Sequence, residues 1–338
     1  MSPVGSERFR RMALAGLCCY AFGLEQGAPG PGPGRPRESP EEANVSRDVK
    51  VAAAQLGPIS EGTSREEVVD RMLALMDRAA ADGVEILAYP ELALTPYFPK
   101  RICDDHEQFF ETEMPSKVVE PLFSRARGTG ITFHLGYAEK DGERHYNTAV
   151  LVDENGSVFG KFRKIHLPGL AHPDPEGYAR VFEPYYFASG DTGFRVFAGK
   201  KARIGIAICQ DRRYSESYRC LGLMGAEIIL AGYNTPAYPL ALAHNELVMR
   251  AGAYENSLFV VGIAKAGIED GVEFIGGSSI INPLGEVIAR ASTTGDELVA
   301  ARIDLDQMIP ARKRWNFFGR RHPEHYRLLT ETRPPVLP

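Results

Sequence analysis

The chain has 338 residues, 44% hydrophobic and 25% charged, enough apolar material for one large or two ordinary cores, which excludes a fibrous or globally disordered polypeptide. A net charge of -5 without any Lys/Arg-rich block excludes the electrostatic footprint of a nucleic-acid or anionic-lipid binder, and small molecules are the expected partners. Five cysteines (Cys18, Cys19, Cys103, Cys209 and Cys220) show neither CxxC nor finger spacing, which points to a reducing, cytoplasmic setting rather than to disulfides, a zinc site or a redox pair.

At the N-terminus, Arg8, Arg10 and Arg11 precede an apolar run from Met12 to Leu24 that has the outline of a signal peptide. Cys18 and Cys19 interrupt that run and no A-x-A site follows, so export is not the expectation. The next stretch, GAPGPGPGRPRESPEEANVSRD, is too rich in Pro and Gly to bury the surface that would offset its ordering entropy. Residues 1–46 therefore read as a disordered extension and 47–338 as the folded domain. No later apolar run approaches the roughly 20 residues needed to span a bilayer.

From Val49 onward strands and helices alternate. VKVAAAQL predicts a strand; SREEVVDRMLALMDRAAADG predicts a helix, with Ser64 as its cap and Gly83 just past its end. VEILAYPEL predicts a second buried strand. ITFHLGYAEK, YNTAVLVDENGSVFGKFRK and FRVFAGKKARIGIAICQ predict consecutive sheet elements, with Asn155-Gly156 as a hairpin turn. The series closes with a helix at YSESYRCLGLMG, a strand at AEIILAGYN, a helix at ALAHNELVMRAGAYENS, a strand at LFVVGIAKAG and a hairpin at GGSSIINPLGEVIARAS. A four-layer α-β-β-α sandwich accounts for this order; a doubly wound single sheet is compatible with the same pattern.

Cys209 follows a buried run and precedes a turn-rich stretch ahead of a helix, the position in layered α/β proteins where nucleophiles and ligands gather. It equally reads as a buried small hydrophobe. Glu91 and Lys164 also stand at strand ends, where solvated side chains are common. If the three ends share one edge, a thiol, a carboxylate and an ammonium converge as nucleophile, base and oxyanion clamp. Spacing alone leaves that convergence open.

The segments YPELAL, GKFRKIHLPG and ICQDRR, in this order and at these separations, resemble the signature of the nitrilase superfamily of carbon-nitrogen hydrolases, and the resemblance runs from about Val49 to the C-terminus. Within it, FFETEMPSKVVEPLF, FHLGYAE, GFRVF, GAEIILAGYNTP and NFFGRRHPEHY look like the N-carbamoyl-D-amino acid hydrolases. The resemblance implies the α-β-β-α fold, Glu91 as general base, Lys164 as oxyanion-stabilising cation and Cys209 as nucleophile. It also places a second glutamate on Glu183, which would orient the lysine or handle leaving-group protons. Implied as well are pairing of the sandwiches and substrate contacts from Asn234, Thr235 and His166.

Such chemistry suits these residue types, because a ureido or amide carbon is a poor electrophile that calls for a thiolate, a proton acceptor and oxyanion donors such as Lys164 and the backbone N–H of Gln210. It needs neither metal nor other cofactor, and His145, His166 and His172 lack HxxxH spacing. A cysteine phosphatase would want arginine six positions after the cysteine, where Ser215 stands. Arg212 and Arg213 are candidates to grip a substrate carboxylate, and the other reading pairs them with carboxylates such as Glu216.

Three departures from the carbamoylase pattern lie near the expected pocket: Gln210 where Asn is usual, Val181 where a histidine is expected, and a shorter segment between Pro236 and Ala251. The alternatives to an N-carbamoyl-D-amino acid substrate are β-ureido acids, carbamoyl amines and simple carboxamides; a non-catalytic member of the fold would be expected to have lost one of the four site residues. The aromatic and arginine-rich WNFFGRRHPEHYRLL suits an interface segment, and a homo-oligomer, dimer or tetramer, is the expectation.

Overall fold

The computed structural model describes residues 47–173 and 181–331; the expected N-terminal extension lies outside the described residues. The first sheet holds β1 (Asp48–Gln55), β2 (Ile86–Ala88), β3 (Thr132–Asp141), β4 (Arg144–Val152) and β5 (Val158–Arg163). The second holds β6 (Val196–Ala198), β7 (Arg203–Ile208), β8 (Ile228–Tyr233) and β9 (Phe259–Ala264). After a separate ribbon of β10 (Ala266–Glu269) and β11 (Val272–Ile275), β12 (Ser279–Ile281) and β13 (Val287–Arg290) complete the second sheet, and β14 (Glu297–Asp304) returns to the edge of the first. The orders are β14-β1-β2-β3-β4-β5 and β13-β12-β9-β8-β7-β6, six strands each, so the single doubly wound sheet is excluded.

Period-two alternation builds the layers. On β1, Val49, Val51 and Ala53 pack with Ile204, Ile206 and Val261 of the second sheet, forming the core between the sheets. Ala52 and Ala54 face the other way, against Val68, Val69, Met72 and Met76 of helix α1 (Arg65–Ala81). Helix α2 (Glu120–Thr129) adds Leu122, Phe123 and Ala126 to that outer layer. A short helix, α3 (Glu183–Tyr186), precedes the second sheet, whose outer face is covered by α4 (Ser215–Leu223) and α5 (Ala241–Asn256). Tyr218, Leu221, Met249 and Ala253 are the buried side chains of these last two helices in the same core.

Most expected elements sit where the pattern put them. Ser64 caps α1 as half of a capping box, its hydroxyl accepting from the Glu67 N–H while the Glu67 carboxylate accepts from the Ser64 N–H. The β4-β5 hairpin turns at Asn155-Gly156, with Gly156 at φ 72°. The VEILAYPEL strand is shorter than expected. Only Ile86–Ala88 pair, because the chain then turns inward through Leu92 at φ 45°. The sequence reading passed over β14 and α2. β14 pairs with β1 along all of Asp48–Gln55, yet its half-buried edge position leaves little alternation to detect.

The aromatic C-terminal segment is laid over α4 and α5 of its own chain, following helix α6 (Met308–Trp315). Trp315 and Phe317 meet Tyr254 with ring centroids 6.0 and 5.3 Å apart, and Phe318 lies beneath the guanidinium groups of Arg219 and Arg312. Among the described residues no helix is long and apolar enough to cross a membrane.

Candidate active site

β1, β2 and β3 run parallel in one sheet and β7, β8 and β9 run parallel in the other, so each set delivers its C-terminal ends to one edge. Glu91 follows β2, Lys164 follows β5, Cys209 follows β7 and Asn234 follows β8. Two glycines let the Glu91 turn wedge between the sheets. A Cβ on Gly136 would lie 2.7 Å from Glu91 Cα, and one on Gly232 2.8 Å from the Glu91 nitrogen.

The site is assembled by a buried polar network. Lys164 Nζ donates to Glu91 Oε1 at 2.7 Å and lies 2.7 Å from both oxygens of Glu183. Glu91 also accepts from Asn147 Nδ2 (2.8 Å) and the Asn234 N–H (2.9 Å), while Asn234 Nδ2 donates to the Glu91 carbonyl. The Cys209 thiol points at the Asn234 carbonyl, 3.6 Å away, so one asparagine touches both the thiol and the carboxylate. Glu183, the first residue of α3, takes a further bond from the Tyr97 hydroxyl at 2.7 Å. Lys164, Glu183 and Glu91 are 0, 0 and 1% exposed. Three charges with so little access to water must be held by one another.

Cys209 itself adopts φ 44°, a left-handed conformation that costs a non-glycine residue roughly 1–3 kcal/mol and recurs at functional elbows. Burial, reinforced by the Glu91 charge, pushes the thiol up to about 11, with Lys164 and Arg212 only partly offsetting that. The sulfur rests protonated at neutral pH, so any nucleophilic role demands a base beside it. For Lys164, desolvation acts downward, but Cys209 as its thiol ionises, together with the carboxylates of Glu183 and Glu91, outweighs it and holds the ammonium above the usual lysine range.

Burial raises Glu183 from 4.5 to about 7 against the pull of Lys164, with Glu91 adding to the rise. Since the folded state binds this proton more tightly than the unfolded state, its stabilising contribution is complete below about pH 4.5 and lost as pH rises through about 7. Glu183→Gln is expected to flatten the stability profile across that window, as measured by denaturant midpoints at stepped pH. An unchanged slope would show that Glu183 does not titrate there.

A cavity of about 280 Å³ opens above Cys209, lined by Tyr97, Pro168, Val181, Gln210, Arg213, Asn234, Thr235, Pro236 and Tyr238. Val181 supplies an apolar wall where a histidine was expected. The adjacent arginines part company: Arg213 lines the cavity and donates to the Tyr238 hydroxyl at 3.0 Å, whereas Arg212 is wholly buried beneath it. Arg212 binds Asn245 Oδ1, the Cys209 carbonyl and Thr235 Oγ1, and its guanidinium lies 4.2 Å from the Tyr233 ring centre. Neither arginine takes Glu216. Because Arg212 is spent on holding the turn that carries Cys209, it is not placed to meet a ligand.

His166 lies off the cavity too. Its Nδ1 sits 2.7 Å from Asp211 Oδ1 and its ring stacks on Tyr214 at 3.9 Å. Asp211 also accepts from the backbone N–H groups of His166 and Ile208, which ties the lysine loop to the cysteine turn. Asn147, Tyr97, Asp211, Asn245 and Tyr238 were missed by the sequence reading. A lone asparagine in the apolar run HYNTAVLV was the one local signal for any of them.

The model of the carbon-nitrogen hydrolase family matches residues 50–313. The chain belongs to this family. It is 30% identical over 306 residues to an N-carbamoylputrescine amidase of Arabidopsis thaliana, covering 84% of this chain and 95% of that protein. It is also 30% identical over 295 residues to a citrullinase of Francisella tularensis, covering 82% and 97%. The fold matches a carbon-nitrogen hydrolase from Helicobacter pylori with a TM-score of 0.74 at 22% identity, covering 85% of this hydrolase and 99% of that chain.

Proposed function

We propose that this carbon-nitrogen hydrolase cleaves the terminal ureido group of an N-carbamoyl amino acid, of D configuration by the resemblance of its segments, releasing the amino acid, carbon dioxide and ammonia. Cys209 is the nucleophile, Glu91 the general base and acid, Lys164 and the Gln210 N–H the oxyanion donors, and Glu183 the group that holds Lys164. The observation that carries the substrate reading is Arg213, the one side chain of fixed charge among the described residues that line the cavity above Cys209. A guanidinium there suits a carboxylate, whereas the ammonium of a carbamoyl amine would find no carboxylate among the same rim residues. Relatives named for a carbamoyl amine and for citrulline, both terminal ureas, support the reacting group.

In the first half-reaction Glu91 takes the thiol proton as sulfur bonds to the ureido carbon, and the carbonyl oxygen gains charge against Lys164. The carbon–nitrogen bond to the terminal nitrogen then breaks, Glu91 returns the proton, and ammonia departs from a carbamoylated thiol. Water, deprotonated by Glu91, attacks the same carbon and the carbon–sulfur bond breaks. The carbamate so released decomposes to carbon dioxide and the free amine of the amino acid. The thiol regains its proton and the cycle closes.

Arg213→Ala is expected to lower kcat/KM for carbamoyl amino acids by roughly 10–100-fold, the value of a charge-assisted hydrogen bond of about 1.5–3 kcal/mol, mostly through KM. Hydrolysis of a neutral carboxamide should change little. Ammonia release from a parallel panel of N-carbamoyl-D- and L-amino acids, carbamoyl-β-alanine, citrulline, carbamoylputrescine and simple amides tests the assignment. A preference for carbamoylputrescine that survives Arg213→Ala would overturn it.

A further inference from the structure

His106, Glu107 and His145 lie outside the catalytic network, yet each offers a ligand atom within 4.8 Å of the others. The first two sit at the start of a short 3-10 turn, Glu107–Phe109; His145 is the second residue of β4, 38 positions further on, a separation that hides the cluster from any sequence spacing. His106 Nδ1 lies 2.8 Å from the Cys103 carbonyl, so it carries the proton and Nε2 is left with its lone pair. That second hydrogen bond from the opposite ring nitrogen is the usual way a metal-binding histidine is oriented. His145 Nε2 is shielded from solvent and has no hydrogen-bond partner, with Glu107 Oε1 3.4 Å away. The His145 ring is held against Phe110 at a centroid distance of 4.1 Å. The far oxygen of Glu107, Oε2, accepts from Lys140 Nζ at 2.6 Å.

We propose that His106, Glu107 and His145 form a binding site for a divalent transition metal of the Zn²⁺ class. Two imidazoles and one carboxylate are the donor set such ions take, with water completing a tetrahedron. Lys140 would orient the carboxylate from outside, at some cost in affinity from its charge. The site faces α3: the His106 ring packs edge-on to Tyr186 at 5.1 Å, and the His145 carbonyl accepts from the Ala188 N–H. A bound ion therefore fastens the 106–107 turn and β4 together beside the short helix that begins at Glu183.

The experiment uses the full chain carrying Cys209→Ala, which removes the reactive thiol as a competing ligand, and titrates it with Co²⁺ as a spectroscopic probe followed by Zn²⁺. The expected result is one equivalent of Co²⁺ with the visible absorption of tetrahedral nitrogen and oxygen coordination, displaced by Zn²⁺. His106→Ala, His145→Asn and Glu107→Gln in the same background should each weaken binding by at least the ~10–100-fold that follows loss of an outer-shell partner. Glu107 is solvent-exposed, so Glu107→Gln keeps the fold and decides the matter should His145→Asn fail to fold. Absence of the visible band, or an affinity that none of the three substitutions changes, overturns the proposal.

Discussion

Cys209→Ala is expected to lower kcat for ureido or amide hydrolysis by on the order of 10⁶-fold, the scale on which removal of a covalent nucleophile is felt when the remaining groups act only in concert with it. The fold should survive. Cys209 occupies a small position at the end of β7, and alanine there keeps the same left-handed backbone at a similar cost while deleting one sulfur. The Asn234 carbonyl loses a weak donor, and the Lys164-Glu91-Glu183 contacts are untouched. Circular dichroism and a thermal midpoint within a few degrees of the parent, beside an ammonia assay at background, make up the expected pair of results. Residual turnover at more than a percent of the parent would remove Cys209 from the mechanism. Cys209→Ser would not serve as well, since an alcohol can be a slow nucleophile in the same place.

Lys164→Met is expected to damage stability as well as rate. Its ammonium is the shared partner of two carboxylates that water hardly reaches, and breaking a buried ion pair from one side costs about 3–5 kcal/mol because the partner charge is stranded. The variant can escape part of that cost by protonating a glutamate. Folded-state carboxyls raised in this way bind protons more tightly than the unfolded chain, so the variant's deficit should be small below about pH 4.5 and grow as pH rises to neutrality. The parent shows a weaker form of the same dependence, because Lys164 offsets part of the rise that burial imposes on Glu183. Its lysine is raised above 10.5, and that contribution is present throughout the neutral range and fades only at strongly alkaline pH. Denaturant midpoints at acid and neutral pH separate the cases, and a pH-independent deficit would mean the two glutamates are not held by this cation. On the proposed role of Lys164 as an oxyanion donor, its loss should in addition reduce kcat by about 10²–10³-fold at the pH where the variant is folded.

Much of the candidate site was legible because the strand patterns are strong and its residues fall at strand ends. A strand such as RIGIAI is buried on both faces, so it reads as a continuous apolar run, and the residue that follows it must leave the sheet at its edge. Cys209, Glu91 and Lys164 could each be singled out by that rule, and the three motif segments gave the family. β14 was not legible, because an edge strand half open to solvent loses the alternation that marks its neighbours. Asn147 was singled out by no rule. Its role exists only because β4 passes antiparallel beside β5 and presents an amide to a carboxylate 56 residues earlier in the chain.

The sequence by itself determined the period-two strands, the capped helix after Ser64, the family and the identity of the thiol, carboxylates and ammonium, since all of these are local patterns or fixed-order motifs. Only the tertiary structure decided which neighbour of Cys209 lines the cavity. In a tight 3-10 turn consecutive side chains diverge, so Arg212 is driven into the protein to brace the turn while Arg213 is left on the cavity wall. It likewise decided that His145, without metal spacing in the sequence, stands beside His106 and Glu107, because sheet pairing fixes distance in space with no regard to separation along the chain.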